Sequence, residues 1–196
     1  MDPLKFVKDN TYGINKLNIP PDQKVDKLLV RFSGICAAVA VQPIPFADIF
    51  ILTPIQLYMG TLIAEARGYK FTMSQIYKEI LGLIGLAYLA QQTAIGLYKT
   101  VLPFLGAITT IPLVFVLTYA IGKVMNYYFV AKTEGKKITK EDLIKAFKQA
   151  RKDAKKNFSK EEIKKKTNEA RQEMKNYKPQ VKEFVQKNID ELAVIS

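Results

Sequence analysis

Asp48 is the residue whose setting points most directly to chemistry. It is the only carboxylate between Asp26 and Glu65, and its neighbours, PIPFADIFILTP, are almost wholly apolar. An acid in such surroundings can bind a cation or anchor a partner inside a membrane or pocket. The plainer role is a carboxylate in the first turn of a helix started by Pro45, where dipole and free amides stabilise it by about 0.3–1 kcal/mol. Gln56, Gln91 and Gln92 are further polar groups in apolar context. They can line a polar path, but hydrogen bonding between helices is the commoner fate of such amides. Lys164, Lys165 and Lys166 form a basic cluster able to touch phosphate on lipid or nucleic acid, although Glu161, Glu162 and Glu169 close by fit a solvated helix face better.

The rest of the inventory argues against catalysis. The chain has no histidine and one cysteine, Cys36, set among small apolar residues. Neither a zinc site nor an internal disulfide is expected. No G-x-x-x-x-G-K-[ST] loop and no dinucleotide fingerprint occurs, and no paired carboxylates stand in a pocket-like context. We therefore expect no enzymatic activity, no cofactor and no metal.

Charge is plentiful but uneven. The 196-residue chain carries a net +12, and from Lys132 onward 19 Lys or Arg face 11 Asp or Glu. Its mean hydropathy of −0.01 averages an apolar first two-thirds with this charged end. A basic excess suits an acidic partner surface, either anionic lipid headgroups or nucleic acid. Interleaved acids and few exposed aromatics argue against nucleic acid. The start, MDPLKFVKDN, lacks the apolar core and cleavage site of a secretion signal.

The elements that must position these residues read as helices, in three parts: an arm over 1–24, an apolar helical domain over 25–131 and a basic helical tail over 132–196. The arm is a short helix or an extended piece. Pro21 and Asp22 begin a helix whose Val25, Leu28, Leu29 and Phe32 share one face, and which becomes apolar all round by Gly34 to Val41. A second helix is expected from about Pro45 to Arg67, kinked at Pro54 and closed by Gly68. Thr72 with Gln75 has capping-box spacing and starts a third, running to about Tyr98. A turn at Lys99 to Pro103 leads to a fourth, from about Leu105 to Ala131, with Pro112 as a kink. In the tail, Thr139 with Asp142 and Ser159 with Glu162 are two more helix starts. Ile163, Thr167, Ala170, Met174 and Tyr177 then repeat at four-three spacing, a stripe that packs on one partner helix. We expect a small antiparallel bundle there, with Val181, Phe184, Val185, Ile189 and Leu192 as a last amphipathic piece. No strand pattern is convincing.

Lys99 is the only charge from Ile80 to Gly122. About 18 apolar residues suffice to cross a bilayer, so this run has room for a transmembrane hairpin. Tyr77, Tyr98, Tyr127, Tyr128 and Phe129 lie where interfaces fall, and Arg67, Lys70, Lys78, Lys123, Lys132, Lys136 and Lys137 flank the outer ends. The positive-inside rule then puts both ends in the cytosol and the Lys99 turn outside, in an inner-membrane protein. Against this stand Gln91 and Gln92 in the first arm, and the fact that an all-round apolar block also forms the core of soluble helical proteins. Residues 32–64 share that ambiguity and fit packing beside the hairpin better than crossing.

The stretch Pro43 to Thr72, PIPFADIFILTPIQLYMGTLIAEARGYKFT, resembles the bacterial YcjF-like domain family, which also forms the C-terminal part of some Era-like GTPases. The matching positions are Pro43, Pro45, Ala47, Asp48, Pro54, Gln56, Gly68 and Tyr69. Farther on, Leu102, Pro103 and Gly106 are similar to the family's Leu-Pro-x-x-Gly turn, and Ala120, Ile121, Gly122, Tyr128 and Phe129 to its Ala-Ile-Gly element before an aromatic end. The likeness covers about Val25 to Ala131 and stops at the tail. It implies an all-helical, membrane-associated domain without assigned activity, often linked to a small GTPase. This chain has no GTP-binding module, so such a GTPase would be a separate polypeptide.

Two readings follow. In one, an all-α protein with an apolar four-helix core and a membrane hairpin serves as a scaffold, docking a protein partner or the anionic leaflet through its basic helices. In the other, a soluble α-helical bundle buries the apolar block internally or as a homo-oligomer, and binds a protein or an apolar ligand in the cytoplasm.

Overall fold

The computed structural model describes residues 4–40, 51–81 and 103–177, and every element in them is helical, with no strand. The first helix, α1 (Lys5–Asn15), replaces any extended arm, because Phe6 and Val7 turn inward on one face of it and are buried together with Leu4 just before it. Next, α2 (Pro21–Ala40) opens with proline and Asp22 in its first turn, where a missing amide is harmless and a carboxylate favours the dipole. Val25, Leu28, Leu29 and Phe32 are buried on one face, and from Phe32 to Ala40 every side is covered. The helix begins at the surface and ends in the core.

The described part of the second predicted helix is α3 (Thr53–Ala66). Pro54 sits in its first turn, so within the described residues it starts the α-helix instead of kinking its middle. Gly68 adopts φ +84°, a left-handed conformation that closes the helix as expected. Thr72 caps α4 (Met73–Ile76) through a complete capping box with Gln75, and the helix widens at once into a π turn over Tyr77–Leu81. Nothing in the sequence announced that widening.

The longest element is α5 (Pro103–Thr133), which carries Pro112 inside it. Two charged helices follow, α6 (Lys140–Asn157) and α7 (Lys160–Glu173), each started by the predicted capping box, before a 3-10 turn at Met174–Tyr177. These two helices do not form a bundle of their own among the described residues. The first lies along α5 and the second along α2, so Leu143, Phe147, Ala154, Ile163, Ala170 and Met174 join the same core as Phe32, Ile63 and Phe129. The physical reason is area: α2 and α5 offer broad apolar faces, whereas α6 and α7 carry only narrow stripes, and burying stripe against face removes more apolar surface from water.

Three close pairings give the directions of the helices. A side chain at Gly122 of α5 would overlap Leu29 of α2, and Lys123 pairs with Asp26 at 3.0 Å, so these two helices run antiparallel. Gln56 meets Thr118 and Arg67 meets Asn126, so α3 runs parallel to α5. The Lys166 backbone lies 3.0 Å from where a Gly34 Cβ would stand, and Glu173 pairs with Arg31, so α7 returns antiparallel to α2. One end of the bundle therefore gathers the end of α2, the start of α3, the end of α6 and the start of α7.

Candidate functional site

Of the residues singled out from sequence, Asp48, Gln91 and Gln92 lie outside the described residues. Gln56 is buried and donates from Nε2 to the Thr118 hydroxyl at 3.1 Å, a bond between α3 and α5 that satisfies two buried polar groups at once. Its role here is to lock two helices together. Lys164, Lys165 and Lys166 are all exposed on α7, and Lys166 reaches Glu169 at 3.2 Å. The structure brings none of these lysines near Gln56. Cys36 is buried in α2. Among the described residues no cluster of three or more metal-ligating side chains occurs.

The densest polar cluster is one that sequence reasoning missed. Tyr128 donates to Glu79 Oε2 at 2.6 Å, and the Lys132 ammonium sits 3.4 Å from both that oxygen and the tyrosine hydroxyl. The same ammonium lies 5.1 Å from the centre of the Phe71 ring. Burial, and then the hydrogen bond to Glu79, push the Tyr128 phenol above its ordinary value. This leaves Tyr128 protonated as a donor at neutral pH. The cluster pins the π turn to the last third of α5. With every partner supplied by its own chain, it reads as a fastening and offers no vacant position for a reacting atom.

More informative is how the two ends of the bundle differ. At the far end, Arg67 donates to Asn126 at 2.8 Å and pairs with Asp22, and the Tyr69 and Thr133 hydroxyls are 3.2 Å apart. Around them Tyr69, Phe71 and Phe129 stack with ring centres 5.1–6.3 Å apart. At the near end the contacts are apolar: Ala40, Ile51, Leu52, Val114 and Phe115 are all buried. Residues 41–50 depart from Ala40 and rejoin at Ile51 there, and 82–102 rejoin at Pro103 on the same side. Both of those stretches are apolar in composition, with Asp48 and Lys99 as their only charges.

The turn between α6 and α7 borders this apolar end. Phe158 fixes it, with its ring 5.2 Å from Phe115 and 5.1 Å from Tyr119 in edge-on geometry. On either side of that anchor, Lys155, Lys156 and Lys160 are exposed. Sequence reasoning passed over them in favour of the consecutive lysines farther along α7. The available signal was an aromatic residue interrupting a lysine-rich stretch.

The Ile111–Thr133 portion of α5 is long and apolar enough to cross a membrane, and 67% of its most apolar window is buried inside the protein. Val114, Phe115, Val116 and Leu117 are all within that covered part. Comparison of the chain with protein-family models, with curated proteins and with solved structures finds no match.

Proposed function

We propose that this is a membrane-associated helical docking protein, in which the apolar run from about Gly82 to Leu113 enters lipid and the helical body keeps its charged faces in water. The observation that carries this reading is the division of α5. From Val114 onward the helix is enclosed by α2, α3, α6 and α7, and the last two carry lysines on their outer faces. Hydrocarbon is an unsuitable solvent for those lysines, each costing about 2.5–3.5 kcal/mol at the middle of a bilayer. The run before Val114 has Lys99 as its only charge back to Ile80 and carries no such burden. A hairpin drawn as Ile80 to Gly122 is therefore shortened to end near Leu113, which is 36% exposed.

Inner-membrane location and cytosolic termini belong to the same proposal, supported by the lysine-rich helices of the body. The resemblance to the YcjF-like domain supports membrane association, and it makes a separate GTPase the first protein partner to test. The exposed lysine-rich faces of the body supply docking surface, which supports a scaffold role.

A soluble helical bundle is the second reading, and the burial of Val114 and Val116 favours it. Fractionation separates the two. The full chain is expected to sediment with membranes in high salt and to need detergent for release, whereas a chain with residues 82–102 replaced by a short Gly-Ser linker is expected to stay in the supernatant. A full chain that purifies monodisperse without detergent would overturn the membrane reading.

A further inference from the structure

We infer that the lysines of the α6–α7 turn, Lys155, Lys156 and Lys160, form a contact for anionic phospholipid headgroups, holding the bundle end-on to the bilayer. The inference rests on the membrane reading above and adds to it a binding surface and an orientation.

Position is the first argument. The turn lies at the end of the bundle where residues 41–50 depart and rejoin and where 82–102 rejoin at Pro103, and Phe158 holds it against Phe115 and Tyr119 of α5. A lysine set at that level meets headgroups if the apolar run lies beyond it. Charge is the second. From Lys152 to Lys166 seven lysines face three carboxylates, Asp153, Glu161 and Glu162. Two of the three acids are already engaged: Asp153 accepts from Gln149, and Glu162 accepts from the Ser159 amide. Among the described residues none of Lys155, Lys156 and Lys160 has an ion-pair partner, whereas Lys123, Lys132, Lys136 and Lys166 each have one.

Length is the third. From Pro103 to Phe115 the helix advances about 18 Å at a rise of roughly 1.5 Å per residue. A hydrocarbon core is about 30 Å thick, so with Phe115 at headgroup level this part of α5 by itself reaches about one leaflet deep. The lysine turn then stands as a collar around the base of that arm. An anionic lipid surface suits this better than a nucleic acid, because the aromatic residue between the lysines is spent on packing against α5 and is not available for base stacking.

The test uses the full chain and vesicles of phosphatidylcholine, alone or mixed with phosphatidylglycerol, with partition measured by flotation. The variant K155Q/K156Q/K160Q is expected to bind the anionic vesicles roughly a hundredfold more weakly than the wild type, at about a tenfold or smaller loss per lysine, and to bind pure phosphatidylcholine unchanged. The control K136Q/K137Q/K140Q removes the same charge at the opposite end of α5, about 30 Å away and several Debye lengths from the turn. It is expected to bind within about twofold of wild type. Equal losses in both variants, or none in the first, overturn the inference. A wild type that binds phosphatidylcholine but gains nothing from phosphatidylglycerol also overturns it, while leaving insertion standing. Failure to bind either vesicle overturns the membrane reading itself, and tighter binding to a DNA duplex than to the anionic vesicles at the same salt reassigns the turn to nucleic acid.

Discussion

The two ends of this bundle hold together by different physics. The far end uses directional contacts: Arg67 between Asn126 and Asp22, Glu79 under Tyr128 and Lys132, and the Phe71 ring edge-on to both Tyr69 and Phe129. The near end relies on apolar burial, with the Gln56 to Thr118 bond as a polar link between α3 and α5 at that level. Directional contacts specify a register and tolerate water. Apolar burial is indifferent to whether oil is supplied by the protein or by a lipid tail, and this makes the near end the side able to continue into a membrane.

The sharpest way to break the comparison is Phe115→Ala. Phe115 is fully buried and stacks edge-on with Phe158, so truncation leaves a cavity in the body and is expected to cost about 3–5 kcal/mol in urea unfolding followed by circular dichroism. A cost below about 1 kcal/mol would place the ring outside the protein interior and move the boundary between body and lipid-facing run down α5. Gly122→Val probes the closest helix contact next. Its side chain would overlap Leu29 and press less closely on Met59, whose Cε and Sδ lie 3.1 and 3.2 Å from an added Cβ. Overpacking of this kind is expected to destabilise by about 1–3 kcal/mol, with Gly122→Ala milder because Leu29 and Met59 have flexible ends.

How much of this was readable in advance follows from sequence distance. The three capping boxes were legible because each is complete within four residues, and the stripe on α7 was legible because Ile163, Thr167, Ala170 and Met174 repeat with the helix. The identity of the stripe's partner was not. A period says that a face is buried and is silent on what buries it, and here α2, with Gly34 allowing close approach of the Lys166 backbone, outcompeted α6. The same limit hid the Arg31 to Glu173 pair and the Glu79, Tyr128 and Lys132 cluster, whose key partners are far apart in the chain. Of the candidate site, the glutamine between helices was legible from its residue type, while the lysine turn needed Phe158 to be seen against α5.

The directional end offers a smaller test. Arg67→Met keeps the apolar stem and removes the donor to Asn126 and the pair to Asp22. Asp22 is largely exposed and adds little, so the loss is expected to be about 1–2 kcal/mol and to come from Asn126 losing its charged partner. In a double-mutant cycle with Asp22→Asn, losses that simply add assign the effect to the Asn126 bond, whereas a double loss smaller than the sum of the single losses would show that the surface pair matters as well.

The smallest expected effect concerns the start of α7, whose capping box sits beside the lysine turn. Ser159 accepts from the Glu162 amide at 3.1 Å, and Glu162 accepts from the Ser159 amide at 2.8 Å. Ser159→Ala is expected to cost about 1 kcal/mol of stability, read as a lower denaturation midpoint with an unchanged slope. The backbone bond and then the hydroxyl of Ser159 hold the Glu162 carboxyl below its ordinary value, and the equivalent contacts from Thr139 do the same for Asp142. A lowered folded-state value means that the unfolded chain binds the proton first. The stabilisation is therefore complete at neutral pH and is lost as acid passes below the ordinary carboxylate range and through the lowered values. In a pH titration of the urea midpoint, Glu162→Gln should flatten part of the acid limb by slightly lowering the neutral plateau, since glutamine can still cap the Ser159 amide but lacks the charge. An acid limb that keeps its full slope in that variant would show that other carboxylates, away from the α6–α7 turn, govern how this end of the bundle responds to acid.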